Sequence, residues 1–554
     1  MALIFPPAMP PAGPPLGIAS LKAYMESRGP DSVRNFDLNL AYYEQAFRWL
    51  ENGRLKMSIR KMDQETTARE AAAARDFFRG GAGLESFFDP GRYDRHARVY
   101  TRFGSVLNGL FDSFSRRVLL GLPVPPLVRR FFSDLIAPVK AFAPDLVGFS
   151  VLFSQQLFFA LALAKLCKDF GARTVLGGAT FSVMPDPGRL VSSPLDVSAG
   201  KESGLVELTS VIDYLITGEG EAGLGALCES LARGSGDFSQ VPGLIFAAGA
   251  GPQNNPPESV ADLNSLPAPD FSDFPLEEYH SPVPVLPYLS SRGCPWRRCA
   301  FCTHQKTYLE YREQETAVAA KNLEDLKRRH GISHFCLVDE MIHPHRLDRL
   351  CSHLVEIGEG IFFSAYAKPA GGFTPELFGK AFGAGLRVLM WGLESGSERV
   401  LGLMRKGTRI EEVGKILSAS HEAGVWNLVF VLFGFPTETE AEWRSTLDFL
   451  ESHRDSLDAL SKSQFVLLEG SHVFHEPGKY GIARIIDRPQ RDPVSIAYDY
   501  TVSEGLSQEE VGRKFQETLP QLSGIGRSPF FGQFREHMLI YAASRAKPGQ
   551  PGAH

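Results

Sequence analysis

Throughout residues 286–453, strongly apolar runs of strand length alternate with amphipathic runs of helix length. The apolar runs lie at 286–291, 334–340 (HFCLVDE), 361–367 (IFFSAYA), 387–395 (RVLMWGLES) and 427–436 (NLVFVLFGFP). Helical patterns fill 315–330, 346–357, 375–384, 409–423 and 438–453. A strand that is apolar on both faces is buried on both, and a helix between each pair of strands forces parallel pairing through right-handed crossovers. The series predicts a partial barrel over 286–454, with its chemistry at the carboxyl ends of the strands. A small C-terminal region, 455–554, carries one further strand at 464–470 and a last helix near 530–545.

At 554 residues the chain is longer than one hydrophobic core usually organises, and a second α/β series precedes the first. Strands are expected at 2–5, 31–38, 145–151 and 174–178, with YLITGEGE (214–221) opening a helix to about residue 232. Helices are expected at 16–26 and 155–169. From about 41 to 138 the rhythm is replaced by charged helical stretches with the pairs Phe77-Phe78, Phe87-Phe88 and Phe131-Phe132, a helical insertion. The α/β class of residues 1–245 is therefore an open, doubly wound sheet. Small residues gather at its strand ends: Gly148, Ser150, Val151 and Leu152, then Gly177 and Gly178, then Gly218, Glu219 and Gly220. Such glycines either let a ligand approach the backbone at the carboxyl edge or serve ordinary turns. The Pro- and Asn-rich stretch 246–285 reads as a linker.

The net charge of −6 is small for this length and no Lys/Arg block stands out, so neither nucleic acid nor an anionic membrane is an expected partner. A small molecule or a peptide is the simpler substrate. MALIFPPAMPPAGPPLG lacks the basic start of a signal peptide and is broken by proline. The most apolar window, 157–167, is interrupted by Lys165 and falls short of the roughly 20 residues a membrane span needs. Seven cysteines, an odd and sparse number, do not form a disulfide framework, and a cytoplasmic location fits them.

Three of the seven, Cys294, Cys299 and Cys302, fall within SRGCPWRRCAFCTH on the loop after the first barrel strand. Thiolates spaced so closely are normally metal ligands. Two centres fit: a structural zinc with His304 as fourth ligand, or an iron–sulfur cluster whose fourth iron stays open for chemistry.

This loop resembles the C-x3-C-x2-C loop of the radical S-adenosylmethionine (SAM) superfamily, with Phe301 as the aromatic residue before the last cysteine and one extra residue between the first two. WGLESGSERVLGLMRKGT (391–408) and FGFPTETEAE (433–442) resemble the superfamily's fourth- and fifth-strand motifs, and VDE (338–340) its second strand end. The resemblance implies a [4Fe-4S] cluster on the three cysteines and a reductant such as flavodoxin or ferredoxin. It implies SAM contacts from Asp339 and Glu340, from Gly392, Glu394 and Ser395, and from Arg405 or Lys406 to the carboxylate. Gly434, with Phe433 and Phe435, either faces adenine or belongs to the barrel core.

The first half, through LIFPPAMPPAGPPLGIASLKAYMESRG, DLVGFSV, TVLGGATF and ITGEGE, is similar to the Rossmann-like cobalamin-binding domain of one branch of that superfamily. The D-x-H-x-x-G motif is missing, and His96 is the only histidine before His280. The resemblance then implies cobalamin with no histidine on its lower face, residues 150–156 lying near that face. The implied activity is methylation of an unactivated carbon in a peptide or secondary metabolite. A radical cyclase or rearrangement enzyme, and a non-catalytic cluster and corrinoid sensor, are the alternatives. A transfer-RNA methylthiotransferase is disfavoured, since only Cys167 and Cys228 precede the linker.

Overall fold

The computed structural model describes residues 1–29, 32–59, 62–234, 236–248, 251–358, 360–487, 494–526 and 534–545. They form two compact units, one built almost wholly before residue 285 and the other after it, with Asp262–Asn264 packing in the second.

In the first unit, β1 (Ala2–Phe5), β2 (Arg34–Asp37), β3 (Leu146–Ser150), β4 (Arg173–Gly177), β5 (Tyr214–Ile216), β6 (Leu244–Ala248) and β7 (Gly251–Asn254) form one sheet in the order β2-β1-β3-β4-β5-β6-β7. Pairing is parallel from β2 to β5, with Ile4 opposite both Phe36 and Phe149. Helices Leu16–Arg28 and Leu157–Lys168 supply crossovers, and Gly220–Ala232 leads from β5 into the antiparallel β6. The helical insertion is Leu38–Glu51, Gln64–Phe78, Gly83–Phe87, Pro90–Leu119 and Pro126–Phe142. Its phenylalanines build its core: Phe77 stacks on Phe87 at 5.1 Å, and Phe111 meets Phe131 at 4.4 Å. Asp63 and Asp89 accept from the first-turn amides of Thr66 and Arg92, which fixes where two of these helices start.

The stretch 246–285 is not a free linker. β6 and β7 pair antiparallel at the sheet edge, and the residues after them are tied to the first unit. Lys22 donates to Asp273 at 2.8 Å, Tyr279 to Asp37 at 2.7 Å, and the fully buried His280 sits between Glu44 and Tyr100. Proline and asparagine density suggested a linker, whereas Asp273, Tyr279 and His280 of this stretch bond to side chains of the first unit. The hairpin Leu195–Ala199/Glu202–Val206 had no sequence expectation.

In the second unit, β8 (Leu286–Tyr288), β9 (His334–Leu337), β10 (Phe362–Ala367), β11 (Leu386–Glu394), β12 (Trp426–Phe433) and β13 (Ala459–Gln464) pair in chain order, every pair parallel. The intervening helices match the predicted ones. β13 lies beyond the expected barrel end at 454 and before the expected strand 464–470. As an edge strand it is buried only in part, so its sequence, ALSKSQ, lacks the apolar run that betrayed the others. The C-terminal region also holds an antiparallel sheet of β14 (Leu467–Leu468), β15 (Ile482–Ile486) and β16 (Ala497–Val502), and helices Gln508–Ser523 and Arg535–Arg545. Met538 and Ala542 of the last helix pack among Val388, Met390 and Leu428, so this region completes the barrel's core. The predicted start of that helix, at 530, lies outside the described residues. Among the described residues no helix is long and apolar enough to cross a membrane.

Candidate iron–sulfur and SAM site

The cysteine loop leaves β8 through a two-residue strand, Ser291–Arg292, paired with Arg312–Glu313. Gly293 turns the chain at φ 80°, where a Cβ would stand 2.8 Å from the Glu310 carbonyl. Arg297 has the left-handed φ of 50° and reverses the chain inside the longer gap between Cys294 and Cys299. The loop is then pinned to the turn after β11: the Ala300 amide donates to Met404 O at 2.8 Å and the Trp296 indole to Arg405 O at 2.9 Å. The indole lies against Gly407, whose Cβ, if present, would be 2.2 Å from it, and the Lys368 ammonium sits 3.4 Å from the ring centroid. Lys368 also donates to the carbonyls of Lys406 and Gly407 at 3.1 and 3.2 Å.

Among the described residues no three His, Cys, Asp or Glu side chains are gathered tightly enough to hold a single metal ion. The cysteines are nonetheless electrostatic neighbours: Cys294 bears on both Cys299 and Cys302, and Cys299 on Cys302. Burial raises both later thiols, Cys302 to about 12, so ligand formation there must release protons that the apo-protein holds. This grouping fits a cubane, whose cysteines bind different irons and stand farther apart than ligands of one zinc. His304, the fourth member of the zinc set, has its Nδ1 on Glu340 at 2.6 Å.

The residues expected toward SAM separate into two groups. Glu394, at the end of β11, has φ 72° beside a register shift, and its carboxylate holds Lys406 Nζ at 2.8 Å, both side chains nearly buried. Gly392 makes the pair possible, since a Cβ there would stand 2.6 Å from that Nζ. Glu340 and the pair Glu394–Lys406 all act on the cysteines' electrostatics. Asp339 is instead a buried staple, accepting from Ser290 N and Oγ at 3.1 Å each and from Ser291 Oγ. Ser395, fully buried, accepts from Ser397 N and meets Thr446 Oγ1. Arg405 turns to Glu476 at 3.6 Å, leaving Lys406 as the cation beside Glu394. Phe301 packs against a core of Met404, Phe435 and Tyr480. Gly434 presents its open side to Val511, and its amide donates to Glu438 at 2.5 Å. Phe433 and Phe435 are buried, the core alternative. The TEAE end of the fifth-strand motif (439–442) is a capping box, Thr439 with Glu442, clamped by Arg399. Lys368 had no sequence signal, as nothing in the run AYAKPAG sets it apart.

Of the five described non-glycine residues with positive φ, four (Arg297, Glu394, Arg405 and Thr437) lie in this loop and the turns that meet it. Such backbone strain concentrates at functional sites.

In the first unit, protein atoms fill the space beside most of the strand-end glycines. A Cβ on Gly148 would meet Leu3 at 3.0 Å, on Gly178 the Val151 carbonyl at 2.4 Å, on Gly218 Pro257 at 2.7 Å and on Gly220 Leu21 at 3.1 Å. Gly177 faces the Ile216 carbonyl at 3.4 Å, and Glu219 is buried, accepting from the Val260 amide at 3.0 Å. Beyond Ser150 and the buried Val151, the edge offers the exposed Leu152 and Phe153, whose amides are held by the buried Gln156. His96 stacks on Phe77 within the helical insertion.

Six parallel strands in chain order, with three neighbouring cysteines on the loop after the first, define a radical SAM domain. Residues 288–450 match the Radical SAM superfamily. The chain is similar to an uncharacterized methyltransferase of Pyrococcus horikoshii, 25% identical over 57% of this chain and 66% of that protein. With the hopanoid C-3 methylase of Methylococcus capsulatus the identity is 30% over 41% of this chain and 40% of the methylase. The chain thus spans less than two thirds of these relatives. Its fold is that of cobalamin-dependent members: the radical methyltransferase TsrM of Kitasatospora setae (TM-score 0.57, 17% identity, 87% of this chain and 76% of that one), and the cobalamin-dependent SAM radical enzyme OxsB (TM-score 0.55, 17% identity, 74% of this chain and 64% of that one).

Proposed function

We propose that this chain is a cobalamin-dependent radical SAM methyltransferase acting on an unactivated carbon of a small molecule or peptide. The observation that carries the proposal is the meeting of Cys294, Cys299 and Cys302 with the buried pair Glu394–Lys406 on a loop pinned to the strand-end turn. When bound, a [4Fe-4S] cluster supplies the electron that cleaves SAM to methionine and a 5′-deoxyadenosyl radical. The three cysteines would hold three irons and leave the fourth free. Lys406 is the cation for the SAM carboxylate, and Glu394 and Glu340 are acceptors for its amino group or ribose hydroxyls. Asp339, Ser395 and Gly434 keep the strand ends in register. Cobalamin is supported by the fold of the first unit and by the apolar loop Leu152-Phe153 at its carboxyl edge. An electron donor such as flavodoxin or ferredoxin, and a cytoplasmic location, accompany this reading.

The chain is also 26% identical over 317 residues to an anaerobic magnesium-protoporphyrin IX monomethyl ester cyclase of Rubrivivax gelatinosus, so cyclisation is a second reading. Anaerobic reconstitution with iron, sulfide and cobalamin, followed by incubation with methyl-deuterated SAM and dithionite, tests both. Methylation gives 5′-deoxyadenosine, methylcobalamin and label in product; cyclisation gives 5′-deoxyadenosine without label transfer. A full cluster that yields no 5′-deoxyadenosine refutes both and supports a binding protein.

A further inference from the structure

We propose that Arg535 forms an anion site on the floor of the barrel lumen, and that the substrate is a small molecule carrying a carboxylate on an apolar or aromatic body. The inference rests on the radical SAM reading and adds the chemistry of the substrate. On β11, Val388, Met390 and Gly392 share the inner face, which runs from the packing of the last helix up to the Glu394–Lys406 pair. The outer face is filled by Trp391, which packs on Phe373 and Phe378 and donates to Asn427. Tyr366 of β10, opposite Met390, and Phe430 of β12, opposite Gly392, belong to the inner face. Their rings are nearly parallel, 14° apart with centroids at 6.1 Å, and both are only partly buried. The last helix runs against these strands. Its Tyr541 meets Trp426 at the start of β12, at 4.9 Å, whereas its first residue, Arg535, lies 5.2 Å from the Tyr366 ring and 5.9 Å from that of Phe430. Between these ends Met538 and Ala542 close the lumen from below.

Arg535 gives its flat face to two aromatic rings and keeps its edge free. Among the described residues it makes no hydrogen bond, and no carboxylate lies within ion-pair distance of it. Its neighbour Glu536 bears on Cys336, and burial raises that carboxyl, which favours the neutral form over a counter-ion. A stacked guanidinium offers parallel N–H donors in its own plane, the geometry a carboxylate meets with two bonds. A phosphate would call for a second cation, and the nearest lysines are committed: Lys368 to the carbonyls of Lys406 and Gly407, and Lys406 to Glu394. Above the rings the wall is apolar, with Leu432 partly buried and Val338 exposed at the end of β9. Lys368 follows Tyr366 by two residues, so about 7 Å of strand separates the floor from the layer of the two lysines. A molecule anchored at Arg535 by its carboxylate extends its apolar body toward the cysteine loop, and the carbon that reacts is one remote from the carboxylate.

The test measures binding to the full-length protein by saturation-transfer NMR with three probes: hydrocinnamate, its amide hydrocinnamamide, and phenethylphosphonate. Hydrocinnamate should bind at least about tenfold more tightly than the amide, the difference expected of hydrogen bonds to a charged group. That comparison is made in the parent protein and needs no variant to fold. Arg535→Gln should abolish the preference and Arg535→Lys should keep part of it. Arg545→Gln, at the far end of the same helix over Tyr541, should leave it intact. Tyr366→Leu should weaken acid and amide alike. Equal affinity for acid and amide, no binding of either, or a preference that survives in Arg535→Gln overturns the site, and tighter binding of the phosphonate overturns the carboxylate. These readings need neither cluster nor SAM. A reconstituted protein that forms no 5′-deoxyadenosine would therefore strike the radical SAM reading and leave the anion site as measured.

Discussion

Gly407 carries an exacting local demand in the second unit. It has φ 63°, and a Cβ there would lie 2.2 Å from the Trp296 ring, so Gly407→Ala must strain the backbone and also expel the indole. The left-handed conformation costs alanine about 1 to 2 kcal/mol. Moving the indole loses its hydrogen bond to Arg405 O, about 1 kcal/mol, and its contact with the Lys368 ammonium, about 1 kcal/mol more. The sum, about 3 to 4 kcal/mol, lowers the melting temperature of a unit this size by about 6 to 16 °C. Scanning calorimetry of apo-protein measures the shift, and iron bound per chain after reconstitution should fall with it. The decisive step is a double-mutant cycle. In a Trp296→Ala background the same glycine replacement should cost only its backbone strain, about 1 to 2 kcal/mol. A Gly407→Ala protein that melts within 2 °C of the parent, or an equal cost in both backgrounds, would falsify the anchoring of the cysteine loop by Trp296.

Three further outcomes follow from buried charges. Lys406→Met leaves the Glu394 carboxylate nearly buried without its partner and should cost about 3 to 5 kcal/mol in urea unfolding. Adding Glu394→Gln should recover most of it, and no recovery would refute a direct pair. Glu438 is buried and its carboxyl is raised from 4.5 to about 7. Its contribution to stability is therefore present below pH 4.5 and lost as pH rises toward 7. Glu438→Gln should be near neutral at pH 5 and stabilising by about 1 to 2 kcal/mol at pH 8; a pH-independent difference would count against this. His280, buried between Glu44 and Tyr100 with Arg75 and Arg79 nearby, is pushed below its usual 6.5, chiefly by burial. The unfolded chain takes up that proton first, so the first unit loses stability as pH falls below about 6.5, and the lowered Glu44 carboxyl adds to the loss at lower pH. His280→Gln should flatten the melting temperature between pH 7.5 and 5.5, and an unchanged slope would assign the loss to other groups.

Strands that are apolar on both faces, such as VLMWGLE and NLVFVLF, declared themselves in the sequence, and with them the parallel order of the second unit. β13 did not, because an edge strand needs only one apolar face and ALSKSQ barely supplies it. The stretch 246–285 misled for the reverse reason: its prolines are plain in the sequence, while the partners of Lys22, Tyr279 and His280 lie more than 100 residues away. At the site, spacing picked out the three cysteines, and the resemblance of the fourth-strand motif pointed to Glu394. It could not separate Lys406, which turns inward, from Arg405, which turns to Glu476, since adjacent residues on a turn look alike until the left-handed φ of Arg405 is known. Strand-end glycines suggested ligand approach, whereas most of them accommodate the protein's own backbone and side chains.

The hydrogen bonds that fix the cysteine loop also set when it can be finished. Each strand from β8 to β13 pairs with the one made just before it, so the sheet can grow outward as the chain leaves the ribosome. The loop emerges early, directly after β8, yet Ala300 waits for the Met404 carbonyl and then for the Val473 amide, the latter only after all six strands exist. Nascent chains therefore carry three unsheltered thiols through most of the synthesis of this unit. Delivery of iron and sulfide belongs to the end of that interval, and oxidation of the thiols is the hazard of its length.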